Sequence, residues 1–446
     1  MKNFLKLLCF AIIAFLISCT NNNDESAPVF PEGSTEAVNL WVQDSMKRYY
    51  YWADQMPAKP DYRLPAKDFF KSLLSPQDRF SFMVNTEDSS TYPRSIRNMY
   101  GFDYTVVQLA NNEVVTVVKL VLQNSPAFNA GLERGMIITK VNGKVMTAAN
   151  AEAMAASIKD QTVVELTVGK WKNGAVINEK NITVYYGFSF EQPILSKIFD
   201  KNTKKVGYLY IYDFPDGMTQ ALNQKFAEFK AAGVQELILD LRYNYGGSVS
   251  SAAVLCSLIP AGLSSASPFI IFKGNKNGGE VKRTFAEQIA YDSKALDFTT
   301  LRANALGLQK VFILTSNSTA SAAEIVINNL KPYMQVIQIG NTTLGKDMAG
   351  FVVEDKRKPR KISWQIHPVI YKVFNAGGSG EYSNGISPQV IVNEYAGLPL
   401  LPLGDPDETL IASALNGGYF KSADHEKNGN IRILFQSDVP PIVAGK

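Results

Sequence analysis

The chain has 446 residues, is 46% hydrophobic and 19% charged, and carries 45 basic against 41 acidic side chains. That length accommodates two or three domains, and a formal charge of +4 without any basic tract excludes the electrostatic footprint of a nucleic-acid-binding protein. With three cysteines, two histidines and neither a CxxC nor an HExxH, the chain offers no disulfide framework and too few ligands for most metal sites, so neither metal nor cofactor is expected.

Lys2 and Lys6 flank the start of "LLCFAIIAFLI" at 7–17. This apolar run is shorter than the roughly 20 residues that span a bilayer and reads as the apolar part of a secretory signal. It ends in "LISC", which resembles a bacterial lipobox. The resemblance implies removal of residues 1–18, lipidation of Cys19 and a polar tether over 19–36. Losing Lys2 and Lys6 would lower the charge from +4 to +2. Thr20 follows Cys19, as in an outer-membrane lipoprotein, so a cell-envelope location on a periplasmic or surface face is expected. Cys256, in "SAAVLCSLI", reads as a small buried hydrophobe.

Residues 37–98 read as a helical cap: "AVNLWVQDSMKRYYYWADQMP" has helical apolar spacing and stops at Pro57, and "PAKDFFKSLL" begins a second helix. Residues 99–187 change to strand-like runs, among them "YTVVQL", "EVVTVVKL", "GMIITKVNG" and "VVELTVGKW". Asn-Gly turns separate some of them and one alanine-rich helix interrupts them, which predicts a small β-rich module. Residues 188–420 alternate strand and helix, including "KVGYLYIYDF", "ELILDLR", "KVFILTS", "SAAEIVINNLK" and "MQVIQIG". That alternation predicts an α/β domain with a largely parallel sheet. Residues 421–446 read as a loose polar tail.

In the middle module, "NSPAFNAGLERGMIITKVNGKVM" resembles the PDZ pattern, and "YGFDY" at 100–104 sits where that family binds carboxylates. Met136 departs from the Asp usual after the glycine. The resemblance implies that a peptide strand adds beside "YTVVQL", with backbone N–H groups near Gly101 and Phe102 holding its C-terminal carboxylate.

"TSNSTASAAEI" at 315–325 places Ser321 beyond the carboxyl end of an apolar strand, at the start of a helix whose free N–H groups could hold an oxyanion. Lys346 follows in "TTLGKDMAG". A buried, neutral lysine could act as base, although Asp347 beside it would favour the charged form. Spacing alone leaves two readings open, a helix start capped by Ser316 or Ser318 and a nucleophile with its base.

Together with "LILDLRYNYGG" at 237–247, these motifs resemble the S41 peptidases, the carboxyl-terminal-processing proteases. The resemblance extends over residues 37–415, through "YSNGISPQVIV" and "GDPDETLIASAL". It implies a crotonase/ClpP-like α/β catalytic core and a nucleophile at Ser321 with Glu324 in support. It also implies a general base at Lys346 and an oxyanion hole from Gly246, Gly247 and the Ala322 N–H. Asp240 and Arg242 would hold the loop. The implied activity is serine endopeptidase action on envelope or extracellular proteins, recruited or gated through the PDZ module. One departure stands out, Gly350 where many relatives carry an orienting glutamine. The rival reading is a weak or inactive lipoprotein that binds peptides or scaffolds a partner.

Overall fold

The computed structural model describes residues 28–187, 194–418 and 431–438. The signal-like run and Cys19 lie outside them.

Apolar strands that alternate with single helices bury both sheet faces only when helices or loops cover both sides. The largest α/β sheet has the spatial order Val390–Ile391, Gln335–Gly340, Lys310–Thr315, Val234–Asp240, Lys204–Ile211, Ile194–Lys201. All its junctions are parallel except the last. Side chains alternate across the sheet. Leu237, Leu239 and Ile313 pack with helices Thr219–Ala231, Val249–Leu258 and Ala322–Leu330. Ile238, Phe312 and Leu314 pack on the other face with helix Thr409–Leu415. Cys256 is buried in the first of these cores. The register pairs Asp240 with Leu314 and Thr315 with Gly340, so the loops after three strands emerge at one edge.

Residues 99–187 form an antiparallel sheet in the order Phe102–Gln108, Val114–Val121, Met136–Val141, Val163–Lys172, Ala175–Tyr185. Helix Ala151–Lys159 contributes Ala155 and Ile158 to its core.

Three expectations change. Residues 421–446 are not loose throughout, because Arg432–Gln436 is a strand that extends this sheet beside Phe102–Gln108. Its short apolar run gains a partner only from an edge more than 300 residues earlier, which local periodicity does not show. The N-terminal region is not purely helical either. Strand Phe82–Asn85 pairs antiparallel with Trp364–His367, so the cap is woven into the α/β domain. Its first helix ends at Tyr49, short of Pro57, because Tyr50 and Trp52 turn into the local core.

At the end of strand Val234–Asp240, Arg242 is fully buried. It pairs with Asp240 at 2.7 Å and with Glu408 at 2.6 Å, while Glu408 also caps helix Thr409–Leu415. Removing one member of such a group leaves uncompensated buried charge. Arg242→Met should lower unfolding stability by about 3–5 kcal/mol, read from urea denaturation.

Candidate active site

The segment after strand Lys310–Thr315 is held by the "DLRYN" segment. Ala320 N–H donates to Asn244 O at 2.9 Å, Thr319 Oγ1 to Leu241 O at 2.8 Å, and Ser316 Oγ to Arg242 O. Ser318 Oγ donates to Asp438 at 2.6 Å. Ser316 and Ser318 therefore tie the turn to its neighbours and do not cap the following helix. Ser321 emerges from this turn with φ 54° and ψ −117°, a conformation that costs a non-glycine residue on the order of 1–3 kcal/mol. Helix Ala322–Leu330 begins immediately after it.

The double glycine comes to the same point. A Cβ on Gly246 would lie 2.6 Å from Ser321 Cβ and 2.9 Å from Ala322 N, so only glycine allows this approach. The Gly246 N–H is already donated to Asn244 Oδ1 at 2.7 Å. Among the described residues the N–H groups of Gly247 and Ala322 have no acceptor. Of the three expected oxyanion donors, Gly246 therefore shapes the loop, and Gly247 and Ala322 remain as donors.

Glu324 is buried and accepts four hydrogen bonds. Oε1 takes Thr343 Oγ1 at 2.5 Å and Gly345 N–H at 2.7 Å; Oε2 takes Lys346 N–H at 2.8 Å and Ser321 N–H at 2.9 Å. One oxygen atom thus joins the backbones of Ser321 and Lys346. Burial pushes the Glu324 carboxyl above the usual range, and the four donors oppose that shift by favouring its ionised form.

Burial lowers the Lys346 pKa below 10.5, while Glu324 and Asp78 act in the opposite direction. Lys346 Nζ lies over the Phe80 ring, 5.4 Å from its centroid. Asp347 is not the carboxylate that acts on it. The Asp347 side chain is buried and faces Lys372 at 3.6 Å, and burial raises its own pKa.

Lys346 borders a cavity of about 180 Å³ lined also by Phe80, Phe82, Gly350, Phe351 and His367. A side chain at Gly350 would strike Pro368 O, 2.2 Å from the ideal Cβ. A glutamine does not fit there in this backbone, and aromatic groups border the lysine. His367 stacks on Phe82 with centroids 4.3 Å apart. Burial, then nearby Lys346, lowers its pKa below 6.5. Asp78, Phe80, Asn244 and His367 are the site residues that sequence reasoning missed. Only the Asn in "DLRYN" carried a local signal.

Gly101 and Phe102 lie in the middle module. Gly101 ends helix Ile96–Tyr100, and its N–H donates to Arg97 O at 2.9 Å, so it is not free for a carboxylate. Phe102 is buried and pairs with Val121.

Glu324 Oε2 brings the backbones of Ser321 and Lys346 to one atom, while among the described residues no hydrogen bond joins Ser321 Oγ to Lys346 Nζ. If Lys346 is the base, only its neutral form accepts the Ser321 proton, so sulfonylation of Ser321 by a sulfonyl fluoride, with fluoride leaving, should rise with pH, with a midpoint below 10.5. Asp78→Asn removes one charge that favours the protonated lysine, so the midpoint should move to lower pH, read by mass spectrometry of the adduct.

Residues 205–392 match the family model for peptidase family S41, and residues 37–82 match that for the peptidase S41 N-terminal domain. The chain is 26% identical over 342 residues to the carboxy-terminal processing protease CtpA of Bacillus subtilis, covering 76% of this chain and 65% of that protein. It is 23% identical over 344 residues to CtpA-like serine proteases of Staphylococcus aureus, covering 75% and 62%. The chain thus spans just under two thirds of the length of these curated relatives. A solved structure described as an S41 protease from Bacteroides fragilis superposes with a TM-score of 0.67 at 27% identity, covering 87% of this chain and 98% of that one. The photosystem II D1 C-terminal processing protease shares the fold, with a TM-score of 0.50 at 17% identity over 86% and 98% of the chains. With both family models in chain order and the motif residues gathered at one sheet edge, the chain belongs to peptidase family S41.

Proposed function

We propose that this protein is a serine endopeptidase that hydrolyses peptide bonds in envelope or extracellular proteins through a Ser321–Lys346 dyad. The observation that carries this reading is the shared Glu324 carboxylate, which ties the serine turn and the lysine turn together through Oε2. Ser321 Oγ attacks the peptide carbonyl, and neutral Lys346 takes its proton and returns it to the leaving amine. The N–H groups of Gly247 and Ala322 receive the developing oxyanion. Glu324 touches no substrate and acts by position.

The middle module works as a PDZ domain that recruits or gates substrate through an extended peptide. Its support is the sequence pattern at 124–146 together with an antiparallel sheet and a covering helix. The chain is a lipoprotein, anchored through Cys19 to a bacterial envelope, with the outer membrane the favoured site. Among the described residues no helix is long and apolar enough to cross a membrane.

Purified protein should degrade an unfolded model protein, and Ser321→Ala and Lys346→Ala should each abolish cleavage while keeping the wild-type circular dichroism. Glu324→Gln should lower kcat by about 10²-fold with little change in KM, since it misplaces the dyad without touching substrate. Equal cleavage by all variants would move the weight to a peptide-binding or scaffolding lipoprotein. Cys19→Ala should abolish acylation and release the protein from the membrane fraction; a variant still acylated overturns the anchor assignment.

A further inference from the structure

The outer edge of strand Phe102–Gln108 is where a peptide strand would add if the module recruits peptides, and the chain's own C-terminal segment already lies there. Arg432–Gln436 runs antiparallel to it, with Thr105 opposite Gln436, Val106 opposite Phe435 and Gln108 opposite Arg432. Ser437 closes the pairing, its N–H donating to Tyr104 O at 3.0 Å and its Oγ accepting from Tyr104 N–H at 2.8 Å. Leu434 and Phe435 pack against the module core that includes Ala155 and Ile158 of its helix. Backbone ladder bonds with alternate side chains in pockets are the features of β-strand addition.

The segment ends in a buried charge site. Asp438 pairs with Lys119 at 2.5 Å and Arg97 at 3.5 Å, and accepts from Ser318 Oγ at 2.6 Å. Lys119, Arg97, Asp103 and Asp438 are all buried, and Arg97 also pairs with Asp103. Among the described residues only the Ser318 contact to Asp438 has hydrogen-bond geometry; the two cations hold it as ion pairs. Without Asp438 two buried cations would share one carboxylate, an arrangement that needs another anion or water.

We infer that residues 432–438 are a resident ligand of the module: a self-peptide on the strand-addition edge whose Asp438 carboxylate fills an anion site of Arg97 and Lys119. The partner that displaces it is an extended peptide whose apolar residues take the places of Ile433, Leu434 and Phe435 and whose carboxylate takes that of Asp438. The chain's own strand supplies the ladder and the apolar pattern, and the two buried cations select a carboxylate. Ser318 couples occupancy to the reaction, because it touches Asp438 and lies in the turn that presents Ser321. Withdrawal of the segment frees that turn, so activity depends on which peptide holds the edge.

The inference rests on the module's peptide-recruiting role, and its test reads binding separately from cleavage. A fluorescent peptide of sequence IRILFQSD, corresponding to residues 431–438, should bind a chain ending at residue 430 at least tenfold more tightly than the full chain, by anisotropy. In the full chain, Val107→Cys with Ile433→Cys, which are paired across the two strands, should form a disulfide that lowers cleavage of an unfolded protein several-fold, with recovery on reduction. Measurable and equal cleavage by oxidised and reduced forms overturns the inference. So does a truncated chain that folds and fails to bind the peptide, or one that loses its native circular dichroism, which identifies 432–438 as a fixed strand. If no form cleaves protein while the peptide still binds the truncated chain, the peptidase reading fails and the resident ligand stands.

Discussion

One buried carboxylate holds the candidate site together. Glu324 accepts two bonds on each oxygen, three from backbone N–H groups in two turns and one from a hydroxyl. A group with four donors and no cation in direct contact is stable as an acceptor only while those donors stay aimed at it. The serine turn and the lysine turn are thereby positioned against each other through a shared atom. The positive φ of Ser321 is sustained because the turn on one side and the helix on the other are fixed independently.

That turn is anchored by the segment 240–244. Its carbonyl groups at Leu241, Arg242 and Asn244 accept from the turn before Ser321. Its side chains reach the other way. Arg242 pairs with Asp240 and Glu408, and the Tyr243 hydroxyl, which donates to Glu394, accepts from Arg134 of the middle module at 2.7 Å. Arg97 Nη1 donates to Tyr243 O at 2.8 Å. The strand end that shapes the site is therefore also the contact between the catalytic sheet and the module. The two regions meet through buried charge and through apolar packing, with Leu120 and Leu122 against Tyr208, Tyr210 and Tyr243, and Val107, Val115 and Ile137 against Tyr395 and Leu400.

The N-terminal cap enters the site in the same manner. Arg79 donates to Leu344 O and Ser383 O, and this places Asp78 and Phe80 beside the lysine turn. The cap thus contributes to the lysine's surroundings as directly as the α/β domain does. Phe80 removes water from one side of Lys346, and Asp78 limits how far its pKa falls.

Much of this was legible in the residues. Strand and helix alternation after residue 204 follows from apolar periodicity, which acts over a few residues. "TASAAE", "GKD" and "NYGG" are short motifs whose spacing survives any arrangement of the rest. What the sequence by itself determined was the α/β class, the candidate serine, lysine and glutamate, and the double glycine that a close approach demands. Only the tertiary structure decided that the Gly101 and Gly246 N–H groups are already bonded and that Gly350 faces a carbonyl. It also decided that Asp78, Phe80 and His367 surround the lysine and that Arg432–Gln436 completes a sheet begun at Phe102. The glycine bonds are local, to Arg97 and Asn244, but the lysine's surroundings and the added strand depend on pairings 265 or more positions apart, such as Arg79–Leu344 and Gln108–Arg432. Such contacts form because each segment leaves an unpaired edge or an unscreened charge, and no local pattern says which distant segment will meet it.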